Sequence, residues 1–349
     1  MIYMPLSTEN ILEHLPHRRM EAWKWTDVRT KVRGKEQGLS AEQRLDITCG
    51  EGIVVRREAQ PKSESVMGKF ADNFIRAAMV ITVPAGFKSR TPVVIIAQGG
   101  GHARIVYKLG KGARLCVREV YESLDSVFSN IDIQFELAQG AGLTRTLFHN
   151  DTAGTVRIVT ANINAWAEAS IIQHTLSFGG ALSRLETRVA SFGENLKADI
   201  HGAYLLKGKR HCDMTSSIDL AAPGANIRQS VKGVTRGRAR GVFQGKFHVR
   251  KSAQLTDAKM RHDVIMQSDT CEIRSKPELK IYADDVACAH GNTIGVLDES
   301  ALFYMRQRGI PKAQAEALLT EVFVAEAFDN MANNTDFMTR ISTWLEENS

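Results

Sequence analysis

The stretch that decides the fold is ELKIYADDVACAHGNTIGVLDESALFYMRQRGI, residues 278–310. Its first half has the pattern of a β-strand that runs into a Cys-x-His-Gly sequence at Cys288 and His290. A helix is predicted next, because Asp298 is a good N-cap and Gly309 a good helix terminator. The chain therefore changes from strands to helices here, and we expect a β region before this stretch and a helical region after it.

Upstream, from about residue 45 to residue 291, the sequence indicates strands almost throughout. At 131–137 the segment IDIQFEL alternates apolar and polar residues, which is typical of a strand with one buried and one wetter face. Glycine-rich turns separate such runs, and we expect no helix among them. About 240 residues of strand favour a solenoid, in which each coil covers the last, although a pair of sandwiches would give the same pattern.

The predicted domains are thus an N-terminal helical segment (1–45), a β-helix core (46–291) and a C-terminal helical domain (292–349). In the first of these, HRRMEAWKWTDVRT places Trp23 and Trp25 in a charged run. The two rings could belong to an exposed docking segment, but packing onto the neighbouring domain is favoured.

In the C-terminal domain, the helix that begins after Pro311 is predicted to carry one apolar stripe. The stripe comprises Ala315, Leu318, Leu319 and Val322. A helical tail of this kind is either a docking element or a lid packed on the β body, and the sequence leaves both interpretations open.

Composition places the chain among soluble globular proteins, with 43% hydrophobic and 24% charged residues. Its net charge of +6 is mild for 349 residues and does not indicate a dedicated nucleic-acid binder. The five cysteines form no close pair, which suits a reducing compartment. The N-terminus has no apolar run long enough for a signal peptide or a membrane helix, so we expect a cytoplasmic protein without membrane contact.

The common catalytic and nucleotide-binding motifs are absent from the sequence. There is no GxxxxGK[ST] loop, since the nearest approach, at 241–246, is one residue short. The chain also lacks a GxSxG elbow, an HExxH helix and a CxxC pair. We therefore expect no enzyme activity, and no turnover of ATP or of a dinucleotide by a standard route.

A basic stretch, 228–251, lies in a segment that contains no acidic residue between Leu220 and Thr256. It could follow a phosphate backbone or hold an acidic polysaccharide, and the latter would make the chain a β-helix enzyme or binding protein. Only Phe243 and Phe247 could stack on bases, and both fall on the apolar side of their strand. A solvated basic face, or one complementary to an acidic partner, is favoured, and we expect no nucleic-acid binding.

Cys288 and His290 are the candidate metal ligands, because residues two apart on a strand point to one face. A thiolate and an imidazole suit zinc, copper or an iron–sulfur cluster. Two ligands do not close a four-ligand site, so any metal here needs further ligands, including ones from another chain. The alternative is a packed structural pair. Asp284 and Asp285 are adjacent, point apart on a strand and are not expected to act together as acid and base.

Several motifs, in order along the chain, resemble one family. KIYADDVACAHG (280–291) and LFYMRQRGI (302–310) closely resemble the C-terminal signature of SufD, in the SufB/SufD family of iron–sulfur cluster assembly proteins. AQLTDAKMRHDVIMQSD and EIRSKPEL match the same family, and RRMEAWKWTDV resembles its N-terminal segment with Trp25 in place of the usual tyrosine. The likeness is colinear from about residue 18 to residue 330, although the middle, 50–241, matches in character more than in motif.

The resemblance implies a right-handed parallel β-helix with a short N-terminal helical segment and a C-terminal helical domain. It implies a non-catalytic scaffold subunit of the SUF complex, which pairs with SufB through the C-terminal ends of the two β-helices. By position, His290 resembles the SufD histidine proposed to join SufB ligands in holding a nascent cluster, and Cys288 lies at the same interface. No cofactor is then expected to stay tightly bound to the isolated chain, because the cluster is present only transiently in the complex.

The C-terminal helices are implied to hold the SufC ATPase, whose closure on ATP binding rearranges the SufB–SufD interface. The residues that match the docking helix are Leu302, Phe303, Tyr304, Arg306, Arg308 and Gly309. When the chain is alone, the same β-helix edge could instead form a homodimer.

Overall fold

The computed structural model describes residues 8–34, 38–59 and 62–348. Its body is a parallel β-solenoid of about 8 turns, made of two nine-stranded sheets. From the third strand onward, successive strands alternate between the two sheets, so the chain winds around one continuous core. The predicted solenoid is therefore confirmed, and the alternative of two separate sandwiches is wrong.

Each sheet is a ladder of strands that follow one another in space from one end of the solenoid to the other. In that spatial order, the first sheet consists of β1 (Asp46–Thr48), β4 (Val93–Ala97), β6 (Arg114–Tyr121), β8 (Gly142–His149), β10 (Ser170–Ser177), β12 (Lys197–Leu206), β14 (Asn226–Thr235), β16 (Thr256–Met266) and β18 (Val286–Gly295). The second consists of β17 (Glu272–Ile281), β15 (Arg240–Val249), β13 (His211–Leu220), β11 (Leu182–Ser191), β9 (Val156–Ala165), β7 (Phe128–Leu137), β5 (Gly101–Leu109), β3 (Ala78–Val83) and β2 (Val54–Glu58). The last strand thus continues beyond residue 291, the predicted end of the β region.

The parallel register places residues one coil apart directly beside each other. Ser129 of β7 pairs with Arg157 of β9, a step of 28 residues. A later coil is longer, with a step of 32 residues from Arg240 of β15 to Glu272 of β17. Side chains that are remote in sequence therefore become neighbours on the ladder.

The interior between the two sheets is largely apolar, with buried polar and charged side chains at some positions. The four apolar residues of the predicted alternation are all buried in β7: Ile131, Ile133, Phe135 and Leu137. Phe135 stacks on Tyr107 of the preceding coil, with ring centroids 4.5 Å apart. Each such side chain stabilises the fold by about 1.5–3 kcal/mol through removal of apolar surface from water.

A short helix, α3 (Val66–Ala71), interrupts the strands between β2 and β3, so the expectation of no helix in the β region is wrong. Ser65 caps this helix, and its Oγ accepts a hydrogen bond from the Gly68 amide at 2.9 Å. Met67 and Phe70 are buried in the cluster beneath the N-terminal segment. The helix has only six residues, too few for helical periodicity to show in the sequence.

The N-terminal segment consists of α1 (Thr8–Glu13), a 3₁₀ turn (Glu21–Trp23) and α2 (Val28–Val32), and it packs against the second sheet. Trp23 is buried, and the guanidinium of Arg184 lies 4.0 Å from the centre of its ring. Arg184 Nη1 also donates to the Ala22 carbonyl at 2.9 Å. The favoured interpretation, packing onto the neighbouring domain, is confirmed for Trp23, whereas Trp25 is only half-buried.

The C-terminal helices are α4 (Glu299–Gln307), α5 (Lys312–Ala325) and α6 (Thr335–Glu346), with a 3₁₀ turn (Glu326–Phe328) after α5. Helix α6 buries Phe337, Ile341 and Trp344 in a second apolar cluster, which includes Phe148 and Leu176 from the first sheet. This part of the tail is therefore a lid packed on the outer face of the solenoid.

Helix α5 buries only part of the predicted apolar stripe. Ala315, Thr320 and Val324 are buried, whereas Leu318 and Val322 are 40% and 66% exposed. The predicted stripe is therefore only partly covered, because α5 is apolar on more than one side and the neighbouring elements decide which side is covered.

Charged side chains inside the solenoid are arranged as ion pairs. Arg145 Nε donates to Glu119 Oε1 at 2.6 Å, and both side chains are buried. Asp151 accepts from Arg157 Nε at 2.6 Å and contacts His149 Nε2 at 2.7 Å. Burial alone would raise the pKa of Asp151, but the charges and hydrogen bonds of His149 and Arg157 outweigh it and hold that pKa well below its usual range.

We expect Trp23→Ala to lower the free energy of unfolding by about 3–5 kcal/mol, the range for deletion of a large buried aromatic side chain. Within the described residues the Trp23 Nε1 has no hydrogen-bond partner, so packing and the Arg184 contact hold the ring. Urea denaturation followed by far-UV circular dichroism measures the change. Trp25→Ala is the matched control and should cost much less; equal losses would contradict the packing assignment.

We expect Asp151→Asn to cost about 3–5 kcal/mol at pH 7, because it leaves Arg157 buried without its counter-charge. The folded-state pKa of Asp151 is lowered, so its stabilisation is present above the unfolded value of about 4 and is lost as the pH falls below it.

The wild type should therefore lose more stability than Asp151→Asn between pH 5 and pH 3, as measured by urea denaturation at each pH. The exposed Asp284→Asn is the control and should follow the wild type. Parallel pH profiles for the wild type and Asp151→Asn would show that the carboxylate is not ion-paired in solution.

Candidate functional site

The two ends of the solenoid differ in how they finish. At the N-terminal end, β1 pairs antiparallel with β4 and β2 pairs antiparallel with β3, which caps the stack with short reversed strands. At the other end β17 and β18 are the outermost strands of their sheets, and no other described strand lies beyond them. Within the described residues, this end is the one at which two long parallel strands present free backbone edges.

The two free strands carry different side chains. Strand β17 is charged: Glu278 lies within 3.5 Å of Lys246 on the preceding coil, and Glu272 accepts from Arg274 at 2.8 Å. Strand β18, with the sequence VACAHGNTIG, contains no Lys, Arg, Asp or Glu. Charged residues normally protect an exposed strand edge from pairing with another chain. The edge of β18 has no such protection.

Cys288 and His290 lie on β18, in register with Ala258 and Met260 of β16. Val286 and Cys288 pack against the interior cluster, so by strand alternation His290 also belongs to the interior face. His290 is nevertheless exposed, because no further coil covers it. Among the described residues, no third Cys, His, Asp or Glu joins them to form a metal-binding group.

The thiol of Cys288 is partly buried, and this burial raises its pKa above the ordinary value. The thiol is therefore protonated at neutral pH. A thiolate forms there only when a metal ion or another positive charge displaces the proton.

The interior behind β18 is closed by a hydrogen-bonded histidine. His262 of β16 contacts Ser275 Oγ at 2.9 Å and Asn292 Oδ1 of β18 at 3.2 Å through Nδ1, and Tyr204 Oη at 3.0 Å through Nε2. Burial lowers the pKa of His262 to about 4, so the ring is neutral at pH 7. These contacts hold the outermost strand on the coil before it and keep a fixed surface behind Cys288 and His290.

The predicted docking residues lie on helix α4 or directly after its C-terminal end. Leu302 is buried, whereas Phe303 and Tyr304 are 63% and 59% exposed. Asp298 caps the helix and accepts from the Ser300 amide at 2.8 Å, as the sequence indicates. The remaining predicted residues, Arg306, Arg308 and Gly309, are exposed.

Gly309 has a positive φ of 84°, which lets the chain turn out of α4 toward α5. Arg308 Nη2 donates to Tyr304 Oη at 2.7 Å. Together with Leu318 and Val322 of α5, Phe303 and Tyr304 give this pair of helices exposed apolar side chains.

The basic stretch 228–251 does not form a free basic groove. Five of its eight cations pair with carboxylates one coil away: Arg228 with Asp257, Lys232 with Asp263, Arg240 with Glu272, Lys246 with Glu278 and Arg250 with Asp219. The other three, Arg236, Arg238 and Lys251, are exposed. The sequence could not show these pairs, because the carboxylates lie about 30 residues away on adjoining coils.

Two further expectations concern the surface. Asp284 and Asp285 lie in an exposed turn between β17 and β18, so the expectation that they lie on a strand is wrong. In the part of the chain that the structure describes, no helix is long and apolar enough to cross a bilayer.

Comparison with known proteins identifies the family. Residues 94–323 match the family described as "SUF system FeS cluster assembly, SufBD core domain". This range runs from β4 to α5 and covers well over half of the chain.

Individual relatives agree with that match. The chain is 24% identical to the iron-sulfur cluster assembly protein SufD of Escherichia coli, over 89% of this chain and 84% of that protein. It is 28% identical to an iron-sulfur cluster assembly SufBD family protein of Synechocystis, over 91% and 84% of the two chains. A SufBD family protein of Mycobacterium tuberculosis is 26% identical over 91% and 85%. The chain belongs to the SufBD family of the SUF system for iron–sulfur cluster assembly.

Proposed function

We propose that the chain is a non-catalytic scaffold subunit of the SUF assembly machinery, equivalent to SufD. It pairs with a SufB partner through the open end of the solenoid and holds a SufC ATPase with its C-terminal helices. The observation that carries this proposal is the uncharged strand β18, which carries Cys288 and His290, pairs with β16 on one side and has a free outer edge among the described residues.

Pairing through β18 follows from the chemistry of a strand edge. A partner strand laid along β18 gains a ladder of backbone hydrogen bonds and no charged side chain opposes it. It also covers apolar groups at this end, since Ile294 and Val296 are 44% and 72% exposed. Without a SufB partner, a second copy of the chain can use the same edge around a two-fold axis.

The cluster itself is cargo in this proposal. Cys288 and His290 offer a soft thiolate and an imidazole, which suit iron in an iron–sulfur cluster. They supply part of a ligand set, and the partner strand brings the rest to the same edge. Because the two side chains supply only part of a ligand set, the isolated chain is expected to keep no cluster tightly bound.

The SufC position rests on the exposed side of helices α4 and α5. Phe303, Tyr304, Leu318 and Val322 are apolar side chains that stay exposed although α6 and the solenoid bury other parts of the helical domain. Aromatic side chains that project from a rigid helix are typical anchors of a protein interface.

Two variants separate the two interfaces. Ala289→Lys adds a charge to the exposed edge of β18 and should reduce copurification of the SufB partner at least tenfold, and also abolish any homodimer, while SufC is retained. Phe303→Ala with Tyr304→Ala should have the reverse effect, with loss of SufC and retention of SufB. Coexpression with affinity purification measures the retention of SufB and SufC, and light scattering measures the homodimer.

Each variant is the control for the other, and Leu124→Ala, an 88% exposed apolar residue on another turn, should retain both partners. Copurification of SufB at the wild-type level with Ala289→Lys would refute pairing through β18. Retention of SufC by the double variant would refute docking through α4.

His290→Ala tests the cluster role separately from assembly. The purified complex should keep its subunit ratio, whereas cluster formation on it should fall several-fold because one ligand is missing. Visible absorbance together with iron and sulfide analysis measures the yield. His14→Ala, an exposed histidine of the N-terminal segment, is the control. A normal cluster yield with His290→Ala would remove His290 from the ligand set.

A further inference from the structure

A strongly basic cleft of about 740 Å³ lies between the N-terminal segment and the starts of strands β13 and β15. Seven of its lining residues are Arg or Lys and one is acidic. Six of the cations come from the N-terminal segment: Arg18, Arg19, Lys24, Arg29, Lys31 and Arg33. The cleft contains no residue of β17, β18 or the C-terminal helices, and the proposed function does not use it.

Two carboxylates at the cleft are already engaged. Asp27 caps helix α2 and accepts from the Thr30 amide at 2.9 Å. Glu272 accepts from Arg240 Nε at 2.8 Å at the edge of the cleft. Within the described residues, Arg18 and Arg33 are exposed and have no ion-pair partner. The cleft therefore keeps a large excess of positive charge.

Two buried polar groups in this cleft lack partners. His211 is 2% exposed, and within the described residues neither of its ring nitrogens has a hydrogen-bond partner. The same holds for Nε of Arg29, although its Nη2 donates to the Glu13 carbonyl. Buried donors and acceptors are nearly always paired, so an unpaired imidazole and an unpaired guanidinium nitrogen in one cleft indicate a missing partner there.

The protonation state of His211 fits an anionic partner that accepts a hydrogen bond. Burial and the positive charges of Arg240, Lys31 and Arg184 lower the pKa of His211 well below its usual value. The ring is neutral at pH 7 and carries one N–H donor. An anion in the cleft would offset these neighbouring charges and accept from that N–H and from Arg29 Nε.

We propose that this cleft binds a small, multiply charged oxyanion of phosphate chemistry. Guanidinium groups donate paired hydrogen bonds that match phosphate oxygens. The volume is within the range of small-molecule sites. His211 is 2% exposed and lines a recessed cleft, which fits a compact oxyanion better than a flat acidic protein surface or a nucleic-acid duplex.

Titration calorimetry of the full-length chain with inorganic pyrophosphate, at pH 7 and low salt, tests the proposal. We expect one binding site, and at least tenfold weaker binding to Arg18→Ala with Arg33→Ala. Arg56→Ala with Arg90→Ala removes two exposed arginines outside the cleft and should bind like the wild type. No binding, or equal binding by the two double variants, would refute the site.

His211→Leu provides a second measurement. The ligand-free variant should be at least as stable as the wild type in thermal unfolding, because leucine replaces an unpaired buried polar group. It should nevertheless bind pyrophosphate several-fold more weakly. A variant that loses stability but binds normally would show that His211 is structural only.

Two competing ligands define the chemistry. Citrate should bind at least tenfold more weakly than pyrophosphate, and equal affinity would show that the cleft selects charge rather than phosphate. Pyrophosphate should displace a single-stranded oligonucleotide if the oligonucleotide binds here at all. Oligonucleotide binding that depends on Arg18 and Arg33 but resists pyrophosphate would refute the small-molecule assignment in favour of nucleic acid.

Discussion

In a parallel β-solenoid every coil supplies the hydrogen-bond partners of the next, and this backbone pairing governs the rest of the molecule. The stack must stop somewhere, and whichever coil is last has donors and acceptors that this chain cannot satisfy. Here the first coils are closed by the reversed strands β1 and β2, whereas β17 and β18 remain open. The position of Cys288 and His290 on the open coil is thus tied to the one place where another chain can complete the ladder.

The sequence is enough to predict those features that depend on residues close together in the chain. The alternation at 131–137 is sufficient for a strand, and Asp298 with Gly309 is sufficient for a capped helix. It does not reveal what depends on the next coil, because the strand that covers a residue lies about 30 positions away without a sharp repeat. The exposed side of α5 and the short helix α3 were hidden for the same reason, since neighbouring elements and not periodicity determine them. His290 was found through its motif, and His211 gave no sequence signal at all.

Coil geometry also explains why two basic regions of one chain differ. Five of the eight cations of 228–251 pair with an Asp or Glu of an adjoining coil, and for Lys232, Arg240 and Lys246 that residue lies at the matching register, so the ladder neutralises most of this stretch. The cations at 18–33 lie on the N-terminal segment, which is not part of the ladder and has no register with its strands. A run of basic residues on the coils of a solenoid is therefore largely paired with carboxylates of adjoining coils. The same run on a segment outside the coils can remain available to bind an anion.

The N-terminal segment contacts several coils at once, which is unusual in an architecture whose units normally contact only their neighbours. The Ala22 carbonyl accepts from Arg184 of β11, and Glu21 lies 2.7 Å from Lys276 of β17. During synthesis the ribosome releases residues 8–34 first and Lys276 much later, so this segment has no complete docking surface until the last coil exists. The contacts of this segment are consequently complete only when the last coil has formed, and they join coils that the ladder alone would connect only through their neighbours.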